Sequence, residues 1–298
     1  MRPMRHVTAV LLLAAFAASG CSDRSDTSQN DKPSPQPVQT KPVTPPADSP
    51  VATDGRTQAV ADAPTITGSF ADGEAAYRAK KYNDAIAIFD SYVARRPGNA
   101  SGHYMLALSA WKAGDSARAE QAFEKALSVD PRHVKSLVNL SRVLIERKRY
   151  DDAIERLTRA AEIDPESATV YRLLGRTYGS RGKVDEAVDA YHRAIELNSG
   201  DVWSMNNLGL LFLETNRASE ALPLLAKAVE LRNDVPEFHN NFGIALERTG
   251  RFRAAEAAYG DALKADPRYA KAKQNLARVE HVSSGPEEPL EVDRAASK

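Results

Sequence analysis

The 298-residue sequence predicts an all-α protein, a solenoid of six helical hairpins closed by a C-terminal capping helix, and three observations carry that prediction. The first is the stretch 168–201, ATVYRLLGRTYGSRGKVDEAVDAYHRAIELNSGD, which holds two amphipathic patterns. Tyr171, Leu174, Gly175 and Tyr178 fall at the spacing of one helix face, and Ala187, Tyr191 and Ala194 repeat it. The second is Gly182, which stands between the two patterns where the left-handed conformation of glycine closes a helix C-terminus. The third is that a shift of about 34 residues in either direction lands on another copy of the stretch.

Reading the copies against one another identifies what each position does. Ala85, Ala119, Ala153, Ala187, Ala221 and Ala255 form one column of the second helices, and Phe89, Phe123, Leu157, Tyr191, Leu225 and Tyr259 follow four residues later. The first helices carry a small-residue column of Gly73, Ala107, Ser141, Gly175, Gly209 and Gly243. Small residues let the paired helices approach, and the aromatic ring or Leu fills the space beside them. Lys80, Gly114, Lys148, Gly182, Asn216 and Gly250 stand between the helices, and Pro97, Pro131, Pro165 and Pro267 end repeats, with Ser199 and Asn233 departing from proline. One hairpin cannot bury its apolar face alone, so neighbours stack and share a core. On these columns, and on the large apolar position of Leu140, Leu174, Leu208 and Phe242, residues 66–281 resemble the tetratricopeptide repeat family. That resemblance implies a right-handed superhelical fold whose concave face binds protein or peptide partners.

The elements follow in order. Residues 1–20 read as a secretory signal, with Arg2 and Arg5 before an apolar run over 7–18 that is short for a bilayer span. Ala18-Ser19-Gly20-Cys21 resembles the bacterial lipobox, which implies lipidation of Cys21 and a membrane anchor. Ser22 after it implies, by resemblance to enterobacterial sorting, an outer-membrane protein facing the periplasm. Residues 21–65 are the lipidated cysteine and a Pro-, Ser- and Thr-rich linker with almost nothing to bury. Six repeats are expected at 66–99, 100–133, 134–167, 168–201, 202–235 and 236–269. The first departs from the pattern, with Asp72 at the large apolar position and Tyr92 where later copies have Ala, as suits a terminal repeat whose outer face meets water. A capping helix follows at 270–281, with Leu276 and Ala277 expected on its apolar face and Lys271, Lys273, Gln274 and Arg278 elsewhere. Residues 282–298 read as a disordered charged tail, too short for a catalytic domain.

Composition removes several function classes. Lys+Arg and Asp+Glu both number 40, so no net field argues for nucleic acid. The single cysteine allows neither an internal disulfide nor a cysteine-based zinc site. His6, His103, His133, His192, His239 and His281 form no pair at helical metal spacing, and the glycines occur singly rather than in a phosphate-binding loop. Asp151-Asp152 and Asp185-Glu186 begin second helices, where negative charge suits the helix dipole. The expectation is therefore a scaffold and not an enzyme, with no metal, no cofactor and no small-molecule substrate.

The expected site is the face of the first helices opposite their packed side. Counting each repeat from its first residue, positions four, seven, eight and eleven face the partner helix, and positions two, six, nine and thirteen lie opposite at about 100° per residue. Position six reads Ala71, Met105, Asn139, Leu173, Asn207, Asn241 and Asn275. These asparagines resemble the ladder with which some members of the family grip an extended peptide backbone, since an amide both donates and accepts. Asn is a mediocre helix former, so its recurrence in consecutive repeats favours function over the competing reading of a tolerated surface residue. Trp203, Leu210 and Ile244 join Asn139, Asn207, Asn241 and Asn275 as the expected peptide-binding set, with Glu214, Glu237 and Arg248 around them. Position five (Tyr104, Val138, Arg172, Asn206, Asn240) contains no lysine, which argues against the family's chaperone-tail clamp. Family resemblance implies a membrane-tethered envelope scaffold in pilus or envelope assembly, or else a regulator of an envelope enzyme such as a peptidoglycan hydrolase.

Overall fold

The computed structural model describes residues 68–281. The signal-like segment, Cys21, the linker and the tail lie outside the described residues. Among these there are thirteen α-helices and no strand. The hairpins are α1 (Phe70–Arg78) with α2 (Tyr82–Arg95), α3 (Ala100–Lys112) with α4 (Ser116–Val129), and α5 (Val134–Glu146) with α6 (Tyr150–Ile163). They continue with α7 (Ala168–Ser180) and α8 (Val184–Leu197), α9 (Val202–Glu214) and α10 (Ala218–Leu231), and α11 (Pro236–Arg248) and α12 (Phe252–Ala265), before α13 (Ala270–Glu280). Each helix packs on the next, and each first helix also touches the first helix of the following hairpin, the connectivity of an all-α solenoid.

The columns read from the sequence are the contacts that hold this stack. A Cβ placed on Gly73, Gly175, Gly209 or Gly243 would come within 2.5–2.7 Å of Phe89, Tyr191, Leu225 or Tyr259 respectively. The second-helix alanines, from Ala85 to Ala255, are fully buried, as are Phe89, Phe123, Leu157, Leu225 and Tyr259. All six residues between the helices of a hairpin have positive φ: Gly114, Gly182 and Gly250, and also Lys80, Lys148 and Asn216 at φ 59–60°. The last three hold the same turn although their Cβ atoms disfavour it. Buried side chains group into successive clusters along the chain, and Tyr178 packs against both of the two larger ones.

Both ends differ from the expectation in an explicable way. The first repeat was numbered from Ile66, but α1 begins only at Phe70. Ser69 caps it: the Ser69 hydroxyl accepts the Asp72 N–H (3.2 Å) and the Asp72 carboxylate accepts the Ser69 N–H (2.8 Å). Asp72 therefore occupies the large apolar position because it is a capping residue in a shortened helix. Tyr92 is buried and stacks edge-on against Phe70, with ring centroids 5.5 Å apart. In α13, Ala277 is exposed and the fully buried residues are Ala272 and Val279, with Leu276 only partly buried. The apolar stripe is displaced because α13 is gripped between α11 and α12, and not by a second helix of its own.

Candidate peptide-binding groove

The first helices present a face made of positions two, five, six, nine, twelve and thirteen. Where neighbouring first helices meet, the side chain at position five of one repeat contacts position six of the next. Asn241 Nδ2 donates to Asn206 Oδ1 (2.9 Å) and Asn275 Nδ2 to Asn240 Oδ1 (2.9 Å). Within each pair of consecutive asparagines, Asn206 Nδ2 reaches Asn207 Oδ1 and Asn240 Nδ2 reaches Asn241 Oδ1, both at 3.4 Å. The same register brings Asn139 Nδ2 to the Tyr104 hydroxyl (3.3 Å). Two turns on, Trp111 Nε1 donates to Glu146 (2.8 Å), and Arg248 donates to the carbonyl of Leu213.

An amide ladder therefore exists, but much of it runs between repeats of the chain itself. Asn241 is 8% exposed and Leu173 6%, so position six is not the uniformly open face that helix periodicity implied. Adjacent first helices are close enough to cover the middle of that face. Asn275 accepts from Arg278 (3.0 Å), and Asn139 donates to the Lys135 carbonyl (2.9 Å) while accepting from Arg142 (3.2 Å). The consecutive pairs Asn206-Asn207 and Asn240-Asn241 were the sequence signal for this network. Their position-five members are buried, at 5% and 2% exposed.

The open part of the face lies one step along. Trp203, at position two of α9, is 47% exposed and rests edge-on against Phe238, with ring centroids 5.1 Å apart. Leu210 and Ile244 are half-buried on the same side. Trp203 borders a cleft with Asn207, Leu173, Arg172 and Arg176. Asn207 is half-buried there, close to the Tyr191 phenol. Burial pushes that phenol well above the usual tyrosine range, so it stays protonated.

The arginines give the cleft its charge, a feature that the residue-by-residue pattern did not single out. Arg172 donates to both carboxylate oxygens of Asp201 (2.8 and 2.9 Å), which also caps α9 through Ser204. Burial, with Arg172 and Arg176 as like-charged neighbours, pulls the Arg142 guanidinium below its ordinary range. Arg142 and Arg176 form no ion pair among the described residues, whereas Arg118, Arg181, Arg217 and Arg278 each hold a carboxylate.

Three of the histidines bond backbone groups. His103 and His239, equivalent in the repeat, each place Nε2 2.9 Å from a carbonyl six residues back, that of Pro97 and of Asn233. His133 caps α5, its Nδ1 accepting the Ser136 N–H (3.2 Å). Among the described residues no three His, Cys, Asp or Glu side chains converge as a metal site would require, and no helix is long and apolar enough to cross a membrane.

Two family models, each described as tetratricopeptide repeat, match the chain, one over residues 104–168 and 240–285 and the other over 168–234. Among solved structures, PilF of Pseudomonas aeruginosa aligns with a TM-score of 0.61 at 18% identity, over 70% of this chain and 95% of that one. MamA aligns with a TM-score of 0.52 at 26% identity, over 56% and 97%. YrrB, described as a TPR protein with an unusual peptide-binding site, aligns with a TM-score of 0.52 at 19% identity, over 62% and 96%. These likenesses are likenesses of fold. No curated protein matches the chain.

Proposed function

Starting from a chain whose described residues are a tetratricopeptide-repeat solenoid, we propose that it is a lipid-anchored scaffold of the cell envelope that docks a protein or peptide partner in the groove of its first helices. The observation that carries the reading is Trp203, a large aromatic side chain left half-exposed beside a cleft of Asn207, Arg172 and Arg176. An aromatic anchor beside hydrogen-bonding and charged groups is how interfaces concentrate binding energy. The peptide-binding description of YrrB, a protein of like fold, agrees with this use of the groove. Leu210 and Ile244 extend the apolar lining, and Asn207 offers its amide to a bound backbone; Asn139, Asn241 and Asn275 contribute chiefly by holding the repeats in register.

The anchor rests on Ala18-Ser19-Gly20-Cys21 and on the Pro-rich segment that follows, which sets the solenoid away from an outer membrane facing the periplasm. Two measurements test the proposal. Used as bait in an envelope extract, the chain retains a partner that Trp203→Ala loses by about 2 kcal/mol or more in calorimetry; full affinity in that variant removes the groove from consideration. Cys21→Ser moves the protein from the membrane fraction to a soluble or uncleaved form, and a wild-type chain that salt alone washes from membranes overturns the lipid anchor.

A further inference from the structure

The chemistry along the groove has an order. From the C-terminal end it runs from the apolar side chains of α9, Trp203 and Leu210, to Arg172 and Arg176 on α7, and then to Arg142 on α5. The chain past α13 contains Leu290-Glu291-Val292-Asp293, in which an apolar residue comes first and two acids follow at alternate positions. We propose that this segment of the chain lies in its own groove, with Leu290 against Trp203 and the carboxylates of Glu291 and Asp293 against Arg176 and Arg142, and that an outside partner must displace it. The inference rests on the groove being the docking site.

Reach and charge support it. First helices touch in succession from α13 through α11, α9 and α7 to α5. With neighbours about 8–10 Å apart, α9, α7 and α5 lie about 16–20, 24–30 and 32–40 Å from α13. Extended chain covers about 3.4 Å per residue, which carries Leu290, Glu291 and Asp293 about 30, 34 and 40 Å past His281. Each residue therefore reaches its counterpart, and none has to pass it. Arg142 and Arg176 have no carboxylate among the described residues in a chain whose acids and bases balance at 40 each. A tethered segment acts at an effective concentration near the millimolar range, so weak contacts suffice to fill the groove.

The test uses the full chain carrying Trp111→Phe, which leaves Trp203 as its one tryptophan. Acrylamide quenching of Trp203 rises when Glu291→Lys and Asp293→Lys are introduced together. It rises likewise with Arg142→Glu and Arg176→Glu, and falls back when the two reversals are combined. A labelled peptide of residues 282–298 binds the tail-reversed chain and not the unreversed one. Quenching that is the same in all four chains overturns the inference, as does protection that vanishes on dilution, which assigns the segment to a second copy. Peptide binding to both chains alike also overturns it while leaving the groove as a docking site; loss of the envelope partner in Trp203→Ala reads the groove independently.

Discussion

Single residues in this solenoid are set by backbone demands as much as by packing. Lys148 occupies a turn position at φ 59° that glycine fills in three of the other repeats. A non-glycine residue there costs roughly 1–2 kcal/mol, offset in part by the greater unfolded-state entropy of glycine. Lys148→Gly is expected to raise stability by up to about 1 kcal/mol in denaturant unfolding. Asn216→Gly should gain less, since Asn tolerates the left-handed region better. His133 shows a second constraint. Its Nδ1 must be unprotonated to accept the Ser136 N–H, and burial, opposed by Asp130 and aided by Lys135, lowers its pKa from 6.5. The folded state thus binds fewer protons than the unfolded one below about pH 6.5, so this contribution is complete above that pH and is lost as pH falls. His133→Asn, a cap that does not titrate, should flatten the fall in stability between neutral and mildly acidic pH; an unchanged slope removes His133 as its source.

At the scale of elements, the capping helix α13 allows two kinds of attachment to be compared. Arg278 donates to both oxygens of Glu247 (2.9 and 2.7 Å), and the Tyr259 hydroxyl donates to the same carboxylate (2.7 Å). Arg278, then Tyr259, hold the Glu247 carboxyl below its ordinary range, so their contribution is present above about pH 4.5 and lost in acid. Arg278 is 53% exposed, and a pair of that kind contributes up to about 1 kcal/mol. Val279 is fully buried, and truncation to Ala removes two methylene equivalents at about 0.8 kcal/mol each plus a cavity cost. Val279→Ala is therefore expected to destabilise more than Arg278→Ala, by guanidinium unfolding. The reverse order would mean that the ion pair, and not burial, holds the cap.

For the molecule as a whole, contacts join helices that are neighbours along the chain, so stability is close to a sum over repeats and their interfaces. The ends have one neighbour and the middle has two. Amide hydrogen exchange should accordingly show least protection in α1 and α13 and most in α5 to α10, with the ends opening without the centre. Uniform protection would indicate a single cooperative unit. Contacts so local also favour fast folding.

The sequence by itself determined the repeat length, the turn positions and the small-residue seam. All of these depend on interactions within one hairpin, which recur with the period and leave columns of residues to read. It did not determine which side chains of the exposed face remain open. Asn207 and Asn241 occupy the same repeat position, yet one lines a cleft and the other is 8% exposed and bonded to Asn206. Nor did periodicity bring Arg172 and Arg176 together beside Trp203. Those relations join one repeat to the next across the sides of their first helices. They depend on the angle and distance between hairpins, which no single hairpin's pattern encodes and which only the stacked structure decides.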